Sequence, residues 1–123
     1  MEIVVFGNPS LSIDNLAIKV GKELQKTGIK VLHRENPIEL ADLSLDECVI
    51  LDVAEGIDEP RIIENVDRLV LGRLCSLHDF DMAYMLKLLK ELGTLGTLRI
   101  IALPQHGEAE ALLPKVEELL RKV

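Results

Sequence analysis

The sequence lacks most of what usually announces a function. Two cysteines, Cys48 and Cys75, are too few for a disulfide framework and form no paired metal motif, so both read as buried thiols of a reducing compartment. Aromatic residues are scarcer: two phenylalanines, one tyrosine and no tryptophan leave no platform on which bases could stack. A formal charge of -7 offers no surface that would track phosphates, so nucleic acid is not an expected partner. No apolar run approaches the length of a membrane span. Met1-Glu2-Ile3-Val4-Val5-Phe6 enters a strand directly, with no basic stretch or cleavage signal, so the expected location is the cytoplasm. Also missing are a Gly-x-Gly-x-x-Gly turn after the first strand, a phosphate loop and a Gly-x-Ser-x-Gly elbow. Nucleotide cofactors and acyl-serine chemistry are both disfavoured by those absences.

What the chain has is a series of apolar runs separated by turn clusters, over 123 residues of which 48% are hydrophobic. That composition excludes a disordered chain, and the length fits one domain, residues 1–123, with one core. The clearest run is Cys48-Val49-Ile50-Leu51-Asp52-Val53, apolar without alternation, β-branched at several positions and too short for a free-standing helix. Such a run predicts a strand buried on both faces of a parallel sheet, with Asp52 at its carboxyl edge.

Glu2 to Phe6 predicts a first strand, with Gly7-Asn8-Pro9-Ser10 as its exit. Ser12 would cap a helix to about Lys26, with Ile13, Leu16, Ala17, Val20 and Leu24 on one face and Gly28 in the C-terminal stop position. Lys30 to Arg34 reads as a second strand, and Ile38 to Leu43 as one or two helical turns. Glu55 to Glu64, acidic and holding Gly56 and Pro60, predicts a loop; Asp67 to Leu71 then predicts an antiparallel edge strand, because no room is left for a crossover helix. Ser76-Leu77-His78-Asp79 opens a helix carrying Met82, Met85, Leu86, Leu89 and Leu92 at helical spacing. Leu98 to Leu103 is another apolar strand, Pro104-Gln105-His106-Gly107 its exit, and Glu108 to Val123 a closing helix. The expected architecture is α/β: three layers, about five strands in a mostly parallel twisted sheet with one antiparallel edge strand, and helices on both faces.

In an open sheet of this kind, ligands bind at the carboxyl ends of the strands. The expected sheet would gather three residues there: Asp14 after the first strand, Asp52 in the central strand and His78 at the start of the next helix. Two carboxylates and an imidazole suit a borderline divalent ion such as Ni²⁺ or Zn²⁺ and leave positions for water or a substrate group. Asp14 and His78 each lie two residues past a candidate capping serine, where the helix dipole keeps the acid ionised and the imidazole neutral, the states a metal requires. Taken singly, each has a plainer reading. Asp14 would serve the helix dipole, His78 would bond at a helix start, and Asp52 would hold a neighbouring loop through N–H groups. His106 is a further candidate at the same edge. Asp79 and Asp81 read as first-turn electrostatics, Glu55 and Glu59 as a solvated loop, His33 as surface and Met82/Met85 as core packing.

Three segments together resemble the hydrogenase maturation endopeptidases, which trim the C-terminus of the large subunit of [NiFe] hydrogenases. These are Ile3-Val4-Val5-Phe6-Gly7-Asn8-Pro9 with Asp14 downstream, Val49-Ile50-Leu51-Asp52-Val53-Ala54, and Ser76-Leu77-His78-Asp79 with its helix. The resemblance covers nearly the whole chain. It implies a cytoplasmic, monomeric endopeptidase whose Asp14, Asp52 and His78 contact nickel carried by a hydrogenase large-subunit precursor, with Zn²⁺ or another divalent ion as a surrogate. Departures from the family pattern are Ile13-Asp14 in place of an acidic pair, Ala17 in place of a glycine, and Arg34-Glu35-Asn36-Pro37 in place of a Gly-Gly-Thr turn. The alternative from a different class is a binding module of the same fold that inspects a metal-loaded partner without cutting it.

Overall fold

The three most apolar strands lie side by side in the middle of the sheet. They are β1 (Glu2–Phe6), β3 (Cys48–Glu55) and β6 (Ile100–Leu103), with β2 (Lys30–Arg34) outside β1 and β4 (Arg61–Ile63) outside β6, in the order β2-β1-β3-β6-β4. This is a computed structural model, which describes residues 2–6, 15–34, 48–55, 57–64, 73–74, 88, 91 and 99–123. Pairing is parallel from β2 through β1 and β3 to β6, and antiparallel between β6 and β4. A sixth strand, β5 (Arg73–Leu74), pairs antiparallel with the end of β3. The mixed, mostly parallel α/β sheet expected from the alternating pattern is present.

Register explains why the central runs carry no polar alternation. Ile3, Val5, Val49, Leu51, Val53, Ile101 and Leu103 form one buried face. Against it pack Leu16, Ala17, Val20 and Leu24 of α1 (Asn15–Lys26) and Val116 and Leu119 of α2 (Ala109–Lys122). Val4, Phe6, Ile50, Ile100 and Ala102 point the other way and are buried as well. With no watered side, neither face selects polar residues. The two described helices share the first face and touch each other. The helix expected at Ile38–Leu43 lies outside the described residues; of the one expected from Ser76 onward, Leu88 and Glu91 are described, and both are helical and exposed.

Two glycines shape α1 for different reasons. Gly21 is buried where the helix crosses the sheet, and a Cβ there would stand 2.8 Å from Val5 Cγ2 and 3.4 Å from a Val31 methyl, so the missing side chain sets how closely α1 approaches β1 and β2. Gly28 has open space around it but a φ of +93°, the left-handed stop that lets the Thr27 and Gly28 N–H groups bond back to Leu24 and Gln25 at 3.0 and 3.1 Å.

One expectation is corrected. The stretch from Glu55 to Glu64 is not loop throughout: β3 runs on through Glu55, and Arg61–Ile63 is a strand. Pro60 directly precedes that strand, where its missing N–H removes no ladder bond, and Ile62 and Ile63 are β-branched. A three-residue strand flanked by acids is too short to show a period. The antiparallel strand beside β6 is therefore built by Arg61–Ile63, and Asp67–Leu71 lies outside the described residues.

Candidate active site

Parallel strands end together, so β1, β3 and β6 deliver their exits to one rim. Asp52 pairs with Ala102, one residue before β6 ends, and Leu51 pairs with Val5, one residue before β1 ends. Beyond Val53, β3 exceeds its parallel neighbours and changes partners: Ala54 and Glu55 pair with Leu74 and Arg73 of β5. Asp52 thus sits one residue before the parallel sheet stops.

Among the described residues Asp52 is the one charged side chain that is buried, at 0% exposure. Removing a carboxylate from water is costly unless donors or a cation replace the lost hydration. One donor is supplied locally: the Val53 N–H bonds to Asp52 Oδ1 at 2.8 Å. That bond fixes the carboxylate on the face opposite α1 and α2, since Asp52 alternates with Leu51 and Val53 along the strand. An oriented carboxyl oxygen at a sheet rim, once ionised, has the chemistry of a metal ligand or a proton acceptor.

Asp14 and His78 both lie outside the described residues, as do Cys75, Asp79 and Asp81. Among the described residues no three His, Cys, Asp or Glu side chains gather about a common point. Asp14 immediately precedes the first residue of α1, and His78 follows β5 by four positions in the chain. His33 and Glu59 are exposed and Cys48 is buried, as expected.

His106 is exposed at the same rim and lines a cavity of about 340 Å³ with Ile57, Asp58, Pro104 and Gln105. Sequence reasoning placed His106 on this rim but missed Asp58, which it took as part of an acidic, solvated loop. The signal lies in the register. Because Val53 pairs with Leu103, the chain leaving β3 and the chain leaving β6 emerge as neighbours.

Charge at the opposite rim behaves differently. Lys30 Nζ donates to Glu2 Oε1 at 2.8 Å across the β1–β2 pair, and that hydrogen bond, followed by the Lys30 charge, holds the Glu2 carboxyl below its usual range. On α2, Lys122 hydrogen-bonds Glu118 and lowers its carboxyl in the same way, helped by the charge of Lys115. Both acids are solvent-facing and already neutralised by partners.

No protein-family model matches the chain, and no curated protein matches it by sequence. Solved structures do. The [NiFe] hydrogenase maturation protease HybD from Thermococcus kodakarensis superimposes with a TM-score of 0.69 at 22% identity, over 99% of this chain and 98% of that one. The chain has the fold of a hydrogenase maturation protease. An endopeptidase from Escherichia coli, solved in solution, matches with a TM-score of 0.65 at 15% identity, over 99% of this chain and 93% of the other. An uncharacterized protein from Wolinella succinogenes matches at 0.58 and 17% identity, over 95% and 94% of the two chains. At these identities the likeness is one of architecture, and it runs the length of both chains in each case. Among the described residues no helix is long and apolar enough to cross a membrane.

Proposed function

We propose that the chain is an endopeptidase of hydrogenase maturation. It removes the C-terminal tail of a [NiFe]-hydrogenase large-subunit precursor that already carries nickel. The observation that carries this reading is Asp52, a carboxylate wholly buried at the carboxyl rim of a sheet with this fold. Strongly desolvated ionisable groups concentrate where chemistry is done. Nickel belongs to the substrate and is recognised by Asp14, Asp52 and His78, a donor set of two carboxylates and an imidazole that would also accept Zn²⁺.

Connectivity supports the set. α1 must run back along the sheet from the end of β1 to the start of β2, so its first turn, next to Asp14, belongs to the rim side. β5 is bonded to β3 two residues past Asp52, and His78 follows it closely in the chain. With the metal-loaded substrate docked, the ion supplies Lewis-acid polarisation of the scissile carbonyl. Asp52 contributes a carboxylate held in one orientation by the Val53 N–H, able to take the proton of an attacking water.

The test is incubation with a nickel-loaded large-subunit precursor and mass spectrometry of the products. Release of the tail from the nickel-loaded form, and none from the nickel-free form, is expected. A precursor left whole under every condition overturns the reading; stable capture without cleavage replaces it with a module that inspects metal-loaded partners.

A further inference from the structure

The chain carries its charge unevenly. Residues 15–34, which make up α1, the turn after it and β2, hold five basic residues and one acid, while the rest of the chain holds nine basic residues and twenty acids. A stretch of net charge +4 therefore stands in a protein of net charge -7. Charge segregated in this way marks a surface addressed to a partner of the opposite sign.

Helix geometry gathers that charge. Leu16, Ala17, Val20, Gly21 and Leu24 are buried against the sheet, so Lys19, Lys22 and Lys26, three and four positions apart, form one exposed ridge along the outer side of α1. Lys26 pairs with Glu23 at 3.0 Å, but among the described residues neither Lys19 nor Lys22 has an ion partner. On α2 the opposite holds, because Lys115 and Lys122 both lie beside Glu118, at 3.8 and 3.3 Å. Like charges three and four apart on a helix repel, so the ridge is a local cost that folding alone does not explain.

We infer that this ridge docks an acidic helical segment of a partner protein, whose Glu or Asp side chains recur three and four apart and meet Lys19, Lys22 and Lys26 in register. The lysines are stepped by roughly 4.5 and 6 Å along the axis, which a second helix reproduces and an extended segment, at roughly 7 Å between side chains on one side, does not. Nucleic acid fits poorly, since a chain of charge -7 repels phosphates and its three aromatic residues offer no stacking surface. A bilayer fits no better: an interfacial helix buries its apolar face in lipid, and α1 has its own turned into the core. The inference stands apart from the peptidase reading, because α1 covers the sheet face opposite Asp52.

The experiment is an NMR titration of the isotope-labelled full chain with capped helical peptides carrying Glu, Gln or Lys at the three positions that face the ridge. The Glu peptide should move the amide signals of residues 19–26 and bind about tenfold more tightly than the Gln peptide, the sum expected of three exposed ion pairs, with the margin shrinking as salt is added. Lys19→Glu combined with Lys22→Glu should turn the preference to the Lys peptide. Both positions are exposed, and the second change places an acid four residues before Lys26, so the variant should fold with an unchanged or higher thermal midpoint. Lys122→Glu, a charge reversal on α2, should leave the preference as it is, which separates the ridge from net charge. Asp52→Asn should bind the Glu peptide as the parent does, whatever its effect on precursor cleavage. Equal binding of the Glu and Gln peptides, or signal changes confined to other elements, overturns the inference. Tighter association with vesicles of anionic lipid than with the Glu peptide, or self-association that the double charge reversal abolishes, overturns it in favour of a membrane or a second copy of the chain.

Discussion

The two faces of β3 carry the same backbone through the same core and have different work to do. Val49, Leu51 and Val53 meet α1 and α2 in an unbroken apolar layer, while Ile50, Asp52 and Ala54 point to a face that is as dry but holds a carboxylate. If both faces existed only to stabilise the fold, Asp52 would be a defect that any aliphatic residue would repair. The difference teaches that one face was free to optimise packing and the other was not, and substitution along a single strand can separate the two roles.

The largest effect is expected at Asp52. Asp52→Asn keeps the shape and loses the charge, and turnover of the nickel-loaded precursor should fall by about 10²–10⁴-fold, the usual worth of a positioned proton-transfer group. Its thermal midpoint should hold or rise. A variant that cuts normally but melts early would erase the contrast, because Asp52 would then be structural.

Leu51→Ala, one residue away on the helix-covered face, should do the reverse. Truncating a fully buried leucine costs about 2–5 kcal/mol, read in urea denaturation, while activity per folded molecule stays near that of the parent. A collapse of activity at temperatures where the variant remains folded would show that the two faces are coupled.

Smaller effects come from the glycines of α1 and sharpen what the packed face demands. Gly21→Ala gains about 1 kcal/mol of helix propensity but forces a 2.8 Å contact on Val5, and overpacking of about 1–3 kcal/mol should win. Gly28→Ala meets no atom and should lose only the price of a left-handed residue, about 1–2 kcal/mol. A Gly21→Ala chain as stable as the parent or more so would mean that α1 can shift outward at little cost.

The smallest effect concerns Glu2. Its carboxyl is lowered from 4.5 by Lys30, so the pair stabilises the folded state above the unfolded value and that contribution disappears as pH falls through the lowered one. Lys30→Met should reduce the thermal midpoint slightly at pH 7, and by progressively less as the pH falls below 4.5. Because the pair is exposed, added salt should shrink even the difference at neutral pH.

Much of this was legible in the residues. The continuous apolar runs at Glu2–Phe6 and Cys48–Val53 marked strands wet on neither side, and the spacing of Leu16, Val20 and Leu24 with Gly28 beyond them marked α1. Asp52 stood out because a charge interrupting such a run must be buried. Arg61–Ile63 was hidden because three residues cannot establish a period and acids surround them. The cavity was invisible for another reason: Asp58 and His106 are far apart in sequence and meet only through the Val53 to Leu103 register, which no local pattern encodes. The partnership of Asp14 and His78 with Asp52 is the proposal that the precursor assay and the Asp52→Asn variant address.

The position of β3 between a strand that precedes it and one that follows it in the chain also has a consequence during synthesis. From the completion of Glu55 until Ile100–Leu103 has been made, β3 lacks the neighbour that completes its pairing. Throughout that interval an apolar ribbon with an unpaired edge is open to other nascent chains, and Asp52 is the charge that makes such pairing unfavourable. The same carboxylate would then guard the growing chain before it serves the finished one.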